Sequence, residues 1–255
     1  MKQRLKGVLL MLPLILTFFA GNIVFTIFTL LLGIIGFMEL KISFVKKGIC
    51  IPFIFVIIVP ILLFLTSLGM LSSMATYVII LSAILCLVMM LLLEQINIVD
   101  FATTILSVFY AFVPFWLISR IYAMDNGIKY AVLIFVISFS TDIFACVGGK
   151  YLGKHKLIPN ISPKKTIEGS ICGIVCTIIV GIVYGYCLNI PMGLMIPMAA
   201  AGSVIAQLGD LFASTIKRYC DIKDFSNLIP GHGGVLDRFD SVNFVALLMS
   251  VLLFL

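Results

Sequence analysis

Residues 207–241 read QLGDLFASTIKRYCDIKDFSNLIPGHGGVLDRFDS: an apolar run turning polar, a glycine-rich loop, and a polar start to the next run. The chain has 11 acidic residues, and five of them (Asp210, Asp221, Asp224, Asp237 and Asp240) fall here. On a helix over 192–220, Asp210, Ser214, Lys217 and Arg218 stand at i, i+4, i+7 and i+8 and share one face. Asp237, Asp240 and Ser241 repeat the arrangement at i, i+3 and i+4 on the helix that follows. Two carboxylate-bearing faces joined by a flexible loop can meet around a hard cation, which takes oxygen ligands. Lys217, Arg218 and Arg238 supply charge-assisted donors for phosphate oxygens. These are the parts of a phosphoryl or nucleotidyl transfer site.

The rest of the chain sets the class. Its 255 residues are 62% hydrophobic and only 11% charged, with a mean hydropathy of +1.26; soluble domains carry about 25% charged residues. Apolar runs of membrane-spanning length recur, which predicts an all-α polytopic integral membrane protein. Nine spans are expected, near 8–20, 22–38, 51–68, 74–93, 98–119, 128–147, 166–188, 192–216 and 239–255. With the N-terminus inside, this count puts 15 of the 17 basic residues on the inner side, leaving Arg120 and Lys129 outside. The aspartate-rich stretch then faces the cytoplasm. The net charge of +6 reflects loop bias and anionic lipid, not nucleic acid. Seven cysteines without metal-finger spacing imply neither a disulfide framework nor a soft-metal site.

Residues 1–127 read as a transmembrane scaffold that offers a lipid-facing or homodimer surface. Glu39 and Glu94 sit at segment ends, where interfacial polar residues are ordinary, and Trp116 reads as an interfacial anchor. Residues 128–255 form the catalytic region, with cytoplasmic loops at 148–165 and 217–238. Asp142 lies inside the sixth span, where a carboxylate costs about 2.5–3.5 kcal/mol and usually faces an interior or a cavity. It is expected in a site wall or metal shell; hydrogen bonding near the interface, or pairing with Lys150, is the plainer reading. In the basic loop, Ser162-Pro163 is expected to cap a helix. Lys164, Lys165 and Thr166 would then fill its first turns, where free amides favour phosphate. Glu168 would orient a lysine. Topology alone explains any single loop lysine as well as a substrate role does.

Two blocks carry a family resemblance. The first is Ser214-x-x-Lys217-Arg218-x4-Lys223-Asp224, then Pro230-Gly231-His232-Gly233-Gly234-x-x-Asp237-Arg238-x-Asp240-Ser241. The second follows Asp142: Gly149-Lys150-x-x-Gly153-Lys154, then Pro159-x-Ile161-Ser162-Pro163-Lys164-Lys165-Thr166-x-Glu168-Gly169. Both resemble the phosphatidate cytidylyltransferase (CDP-diglyceride synthetase) family, specifically over about 140–245. Ile143, Phe144 and Cys146 depart from the small residues and tyrosine common there. The resemblance implies transfer of CMP from CTP to phosphatidate, giving CDP-diacylglycerol and pyrophosphate, in a bacterial inner membrane.

Asp210 and Asp237, on the helices flanking the loop, are the leading metal ligands, with Asp224 and Asp240 as second choices and Asp142 in the metal shell. Clustered aspartates at low dielectric need a compensating cation, so Mg²⁺ is expected, with room for a second cation. Lys217, Arg218 and Arg238 bind phosphates, while Lys150, Lys154, Lys164 and Lys165 steer CTP or the lipid head group. Ser214 lacks a base at useful spacing and serves as a metal or phosphate contact, or bonds back to its own helix. His232 donates to phosphate, and Gly233 and Gly234 allow close backbone approach. A CTP-dependent lipid kinase would need similar groups but release CDP. A transporter would spread its polar residues through mid-membrane, whereas here they gather at one end of the last four spans.

Overall fold

The computed structural model describes residues 16–67, 81, 84–85, 88, 92, 97–229, 231 and 233–254. Backbone groups in a bilayer must be satisfied within the chain, and a helix does this locally. The described residues form helices α1 (Asn22–Val45), α2 (Ile54–Ser67), α3 (Ile98–Ala111), α4 (Val113–Tyr122), α5 (Gly127–Leu152), α6 (Ile167–Cys187), α7 (Met192–Tyr219) and α8 (Leu236–Phe254). Strands β1 (Lys156–Ile158) and β2 (Ser162–Thr166) lie between α5 and α6.

Among the described residues, five stretches are long and apolar enough to cross a membrane: α1, the run Ile98–Tyr122 that contains α3 and α4, α5, α6 and α7. They coincide with five of the nine spans the sequence predicts. The predicted span at 51–68 is the shorter apolar α2. That at 239–255 is α8, whose first turns carry Asp237, Arg238 and Asp240. The segments at 8–20 and 74–93, with Glu94, lie largely outside the described residues.

The chain divides into two compact units. One is Met1–Arg120 with Cys220–Arg238, and the other is Ile121–Tyr219 with Phe239–Leu255. In the first unit, α1 packs on α2 and α3 around buried Phe25, Phe37, Leu40, Phe55, Leu63 and Phe112. The Phe37 and Phe112 rings stack at 5.2 Å. Gly33 makes room for this contact, because a Cβ there would lie 3.0 Å from the Ala111 carbonyl. Trp116 is 7% exposed and donates from Nε1 to Thr66 Oγ1 at 3.0 Å. It ties α4 to α2 and is not the interfacial anchor its position in sequence suggests. Asn97 and Asp100 form a capping box at the start of α3, and Asp100 Oδ1 also accepts from Cys50 N at 2.7 Å.

In the second unit, α5, α6 and α7 pack on one another. Small residues bring their backbones close, as membrane helices require where lipid supplies no hydrophobic drive. At Gly169 of α6, an added Cβ would sit 2.6 Å from the Ala145 carbonyl and 2.9 Å from Gly149 Cα. Deeper in, a buried hydroxyl cluster joins the three helices: Thr141 Oγ1 lies 2.9 Å from Ser203 Oγ and 3.0 Å from Thr177 Oγ1. Ser140 Oγ adds a contact to Thr177 at 3.1 Å.

The β1–β2 hairpin corrects two expectations. The fold is not wholly α, and Ser162-Pro163 does not start a helix. Antiparallel pairing matches Lys156 with Thr166 and Ile158 with Ser162, which places Lys164 and Lys165 on a strand. The helix cap is Thr166, whose side chain accepts from Gly169 N at 3.1 Å. Both Ser162 and Thr166 suit a cap locally, and the ladder with β1 selects the second. Gly153 and not Gly148 opens the loop, since α5 runs on through Lys150 to Leu152.

The backbone contact at Gly169 should matter more than any one hydroxyl. Thr177→Val should lower unfolding free energy by about 1 kcal/mol, and Gly169→Val by about 3 kcal/mol. Both are read by SDS titration in mixed micelles followed by circular dichroism. Equal losses would contradict close α5–α6 packing.

Candidate active site

A cleft of about 410 Å³ opens in the second unit, lined by Asp142, Lys150, Lys164, Lys165, Thr166 and Asp210 among others. Helix α5 supplies Asp142, Gly149 and Lys150 from one face, at i, i+7 and i+8. Strand β2 supplies the two lysines and Thr166, and α7 supplies Asp210. The β2 end of the hairpin lies against α5 because residue 149 is glycine, where a Cβ would meet Thr166 Oγ1 at 3.0 Å.

The charges in this cleft are paired across elements. Lys165 Nζ lies 2.5 Å from Asp210 Oδ2, and Ser214 Oγ stands 3.5 Å from Asp210 Oδ1. Asp142 Oδ2 accepts from Ser241 Oγ at 3.0 Å, a partner on α8 and not Lys150. Asp240 is 7% exposed, and its Oδ1 accepts from Ser241 N at 2.8 Å. Asp210, Asp142 and Lys217 are its charged neighbours. Three carboxylates, from α5, α7 and α8, therefore share one neighbourhood with two lysines. Arg218, on the exposed last turn of α7, donates from Nε to the Ile161 carbonyl at 3.4 Å and so reaches the turn of the hairpin.

Other predicted residues stand elsewhere. Glu168 does not orient a lysine side chain: its carboxylate accepts from the backbone N–H groups of Lys154, at 3.0 Å, and His155, at 3.2 Å. It also meets His155 Nδ1 at 2.6 Å. This clamps the entry to the hairpin. Lys154 and Asp224 are exposed. Two polar residues unmarked in the sequence analysis also line the cleft: Gln207, whose Nε2 donates to the Ser170 carbonyl at 3.3 Å, and Ser170 itself. Only their place, one turn before Asp210 and one turn after Thr166, hinted at them.

The glycine-rich loop belongs to the first unit. Gly231 and Gly233 adopt φ of 78° and 85°, a region open to glycine at little cost. Ile229 N donates to the Gly233 carbonyl at 2.8 Å. Asp237 Oδ2 accepts from Phe225 N at 2.8 Å and Gly234 N at 2.9 Å, so this carboxylate holds the loop together. Arg238 Nε is buried without a hydrogen-bond acceptor among the described residues, a donor suited to an anion. His232 lies outside the described residues. Glu39, read as an ordinary interfacial residue, is 4% exposed and bonds to this same loop. The cost of a carboxylate inside an apolar span, which singled out Asp142, was the available signal.

Among the described residues, no three His, Cys, Asp or Glu side chains gather as a metal cage. The donor set of the cleft fits Mg²⁺ nonetheless. Mg²⁺ takes one or two carboxylates and completes its shell with water and phosphate oxygens, and the acidic donors here are all aspartate oxygens.

Comparison with known proteins shows the family. The model of the cytidylyltransferase family matches residues 2–255. A phosphatidate cytidylyltransferase of Staphylococcus haemolyticus (strain JCSC1435) is 36% identical over 253 residues, covering 97% of this chain and 95% of the relative. Phosphatidate cytidylyltransferases of Staphylococcus epidermidis (strain RP62A) and Staphylococcus aureus (strain COL) are each 38% identical over 162 residues, 63% of this chain and 62% of theirs. With nearly its whole length matched by the family model and by a relative 36% identical, the chain belongs to the cytidylyltransferase family.

Proposed function

We propose that the chain transfers CMP from CTP to phosphatidate, giving CDP-diacylglycerol and pyrophosphate. The observation that carries this reading is the cleft of the second unit, where Lys150, Lys164 and Lys165 face Asp142 and Asp210. A phosphate oxygen of phosphatidate attacks the α-phosphorus of CTP, and the bond from that phosphorus to the bridging oxygen of pyrophosphate breaks. No protein nucleophile is needed, because such transfer depends on positioning and charge neutralisation. Ser214, whose Oγ stands 3.5 Å from Asp210 Oδ1, is read as a metal or phosphate contact and not as a nucleophile.

The lysines bind and orient the phosphates. Lys165 neutralises Asp210 and can exchange that carboxylate for a phosphate. Arg218 is placed at the hairpin turn, and Arg238 presents its buried Nε. Asp210 and Asp142, which line the cleft, would hold Mg²⁺, which when bound supplies charge neutralisation at the phosphates, and Asp240 is a neighbouring carboxylate. A second cation has a further carboxylate available. Asp237 serves the reaction from the loop it anchors. In this reading the protein has nine spans in a bacterial inner membrane, with its N-terminus and active site on the cytoplasmic side. The 15-to-2 division of basic residues supports that orientation.

Purified protein given phosphatidate, α-labelled CTP and Mg²⁺ in detergent should place label in lipid with equimolar pyrophosphate, and chelation should stop both. Free CDP formed with an alcohol acceptor would instead establish the kinase reading. Asp210→Asn should lower kcat by about 100- to 1,000-fold while the protein still folds; wild-type turnover in that variant would remove Asp210 from the site. Cys146 also lines the cleft and is exposed. In a variant that keeps Cys146 as its single cysteine, CTP should slow maleimide labelling. Unslowed labelling in an active variant would place the nucleotide elsewhere.

A further inference from the structure

A carboxylate inside an apolar helix needs donors, and those of Glu39 come from far along the chain. Its Oε1 accepts from Ser226 Oγ at 2.6 Å and Val235 N at 2.8 Å, and its Oε2 accepts from Leu236 N at 2.9 Å. Leu236 opens α8 and Val235 immediately precedes it, and the first N–H groups of a helix have no acceptor within it. A carboxylate there satisfies them and complements the helix dipole. Glu39 is thus a cap delivered from another helix.

Its neighbours are shaped to the same contact. Gly36, one turn earlier on α1, leaves room for Leu236, since a Cβ there would stand 2.9 Å from Leu236 Cδ2. Gly234 presses on the Glu39 carboxyl group, and a Cβ there would lie 2.6 Å from Glu39 Cδ. From the other side, Asp237 Oδ2 takes Gly234 N and Phe225 N. Two carboxylates therefore hold the segment that leads into Asp237 and Arg238.

We infer that Glu39 is a positioning residue, which fixes the start of α8 so that Asp237 and Arg238 are presented for phosphate chemistry. This rests on the proposed role of those two residues in cytidylyl transfer. Glu39→Gln keeps the size of the side chain but turns one acceptor oxygen into a donor, opposing a backbone N–H that must point at it.

The test uses full-length Glu39→Gln, Gly234→Ala, their double variant, Ser226→Ala and Arg238→Ala in detergent, with kcat, KM for CTP and thermal midpoint measured on folded protein. Glu39→Gln should lower kcat by about 10- to 100-fold and leave KM for CTP unchanged, because the cleft lysines are untouched. Gly234→Ala should show the same split, and the double variant should lose no more than the worse single one, as shared contacts are not additive. If Glu39→Gln does not fold, Ser226→Ala, which removes one donor, should still lower kcat. A fall in midpoint or yield with unchanged kcat, or additive losses, overturns the inference. An inactive Arg238→Ala beside a fully active Glu39→Gln sinks the role of Glu39 alone. A fully active Arg238→Ala removes the underlying reading of the loop and the inference with it.

Discussion

A carboxylate set within an apolar helix cannot stay alone, and the order of this protein depends on where its buried carboxylates find donors. Glu39 reaches the start of α8, and Asp100 closes a capping box while holding Cys50 N. Asp237 gathers the amides of its own loop. In the second unit, Asp142 meets Ser241 and Asp210 meets Lys165. Each contact answers a desolvation cost, and most tie together segments distant in sequence. With water scarce and apolar packing unselective in lipid, these polar contacts specify which helix meets which.

Glycine does the complementary work. The approach of α5 to α6 at Gly149 and Gly169 leaves no space for a Cβ, and that closeness brings Thr166 and its strand against α5. The cleft lies where helix, strand and the polar end of α7 converge. Its lysines come from two elements and its carboxylates from α5 and α7, so no single segment carries the site. Cation and anion partners supplied by separate rigid elements suit a reaction in which the protein orients phosphates and balances their charge. The first unit contains the glycine-rich loop together with Glu39, which accepts from the amides at the start of α8.

The membrane class, most helix extents and the polar end of the chain were legible in the sequence, because hydropathy and helical period are local properties. The predicted helix over 192–220 is α7, Met192–Tyr219, and the i, i+4 relation of Asp210 and Ser214 survives intact. The lysines of 164–165 were read as site residues, and they do line the cleft, though from a strand and not a helix start. Ser162, followed by a proline, is the better cap in isolation, and the ladder with Lys156 and Ile158 selects Thr166 instead. Trp116 and Glu39 were misread for one reason: a residue near a segment end resembles an interfacial one until its partner is known.

By itself, the sequence determined that this chain is helical, membrane-embedded and armed at one end with aspartates and lysines suited to phosphate. Only the tertiary structure decided which carboxylate meets which donor. Ser226 is 187 residues from Glu39, and Ser241 is 99 residues from Asp142. Periodicity carries information over a few turns of one helix, whereas a buried charge is satisfied by whichever donor the completed packing brings to it.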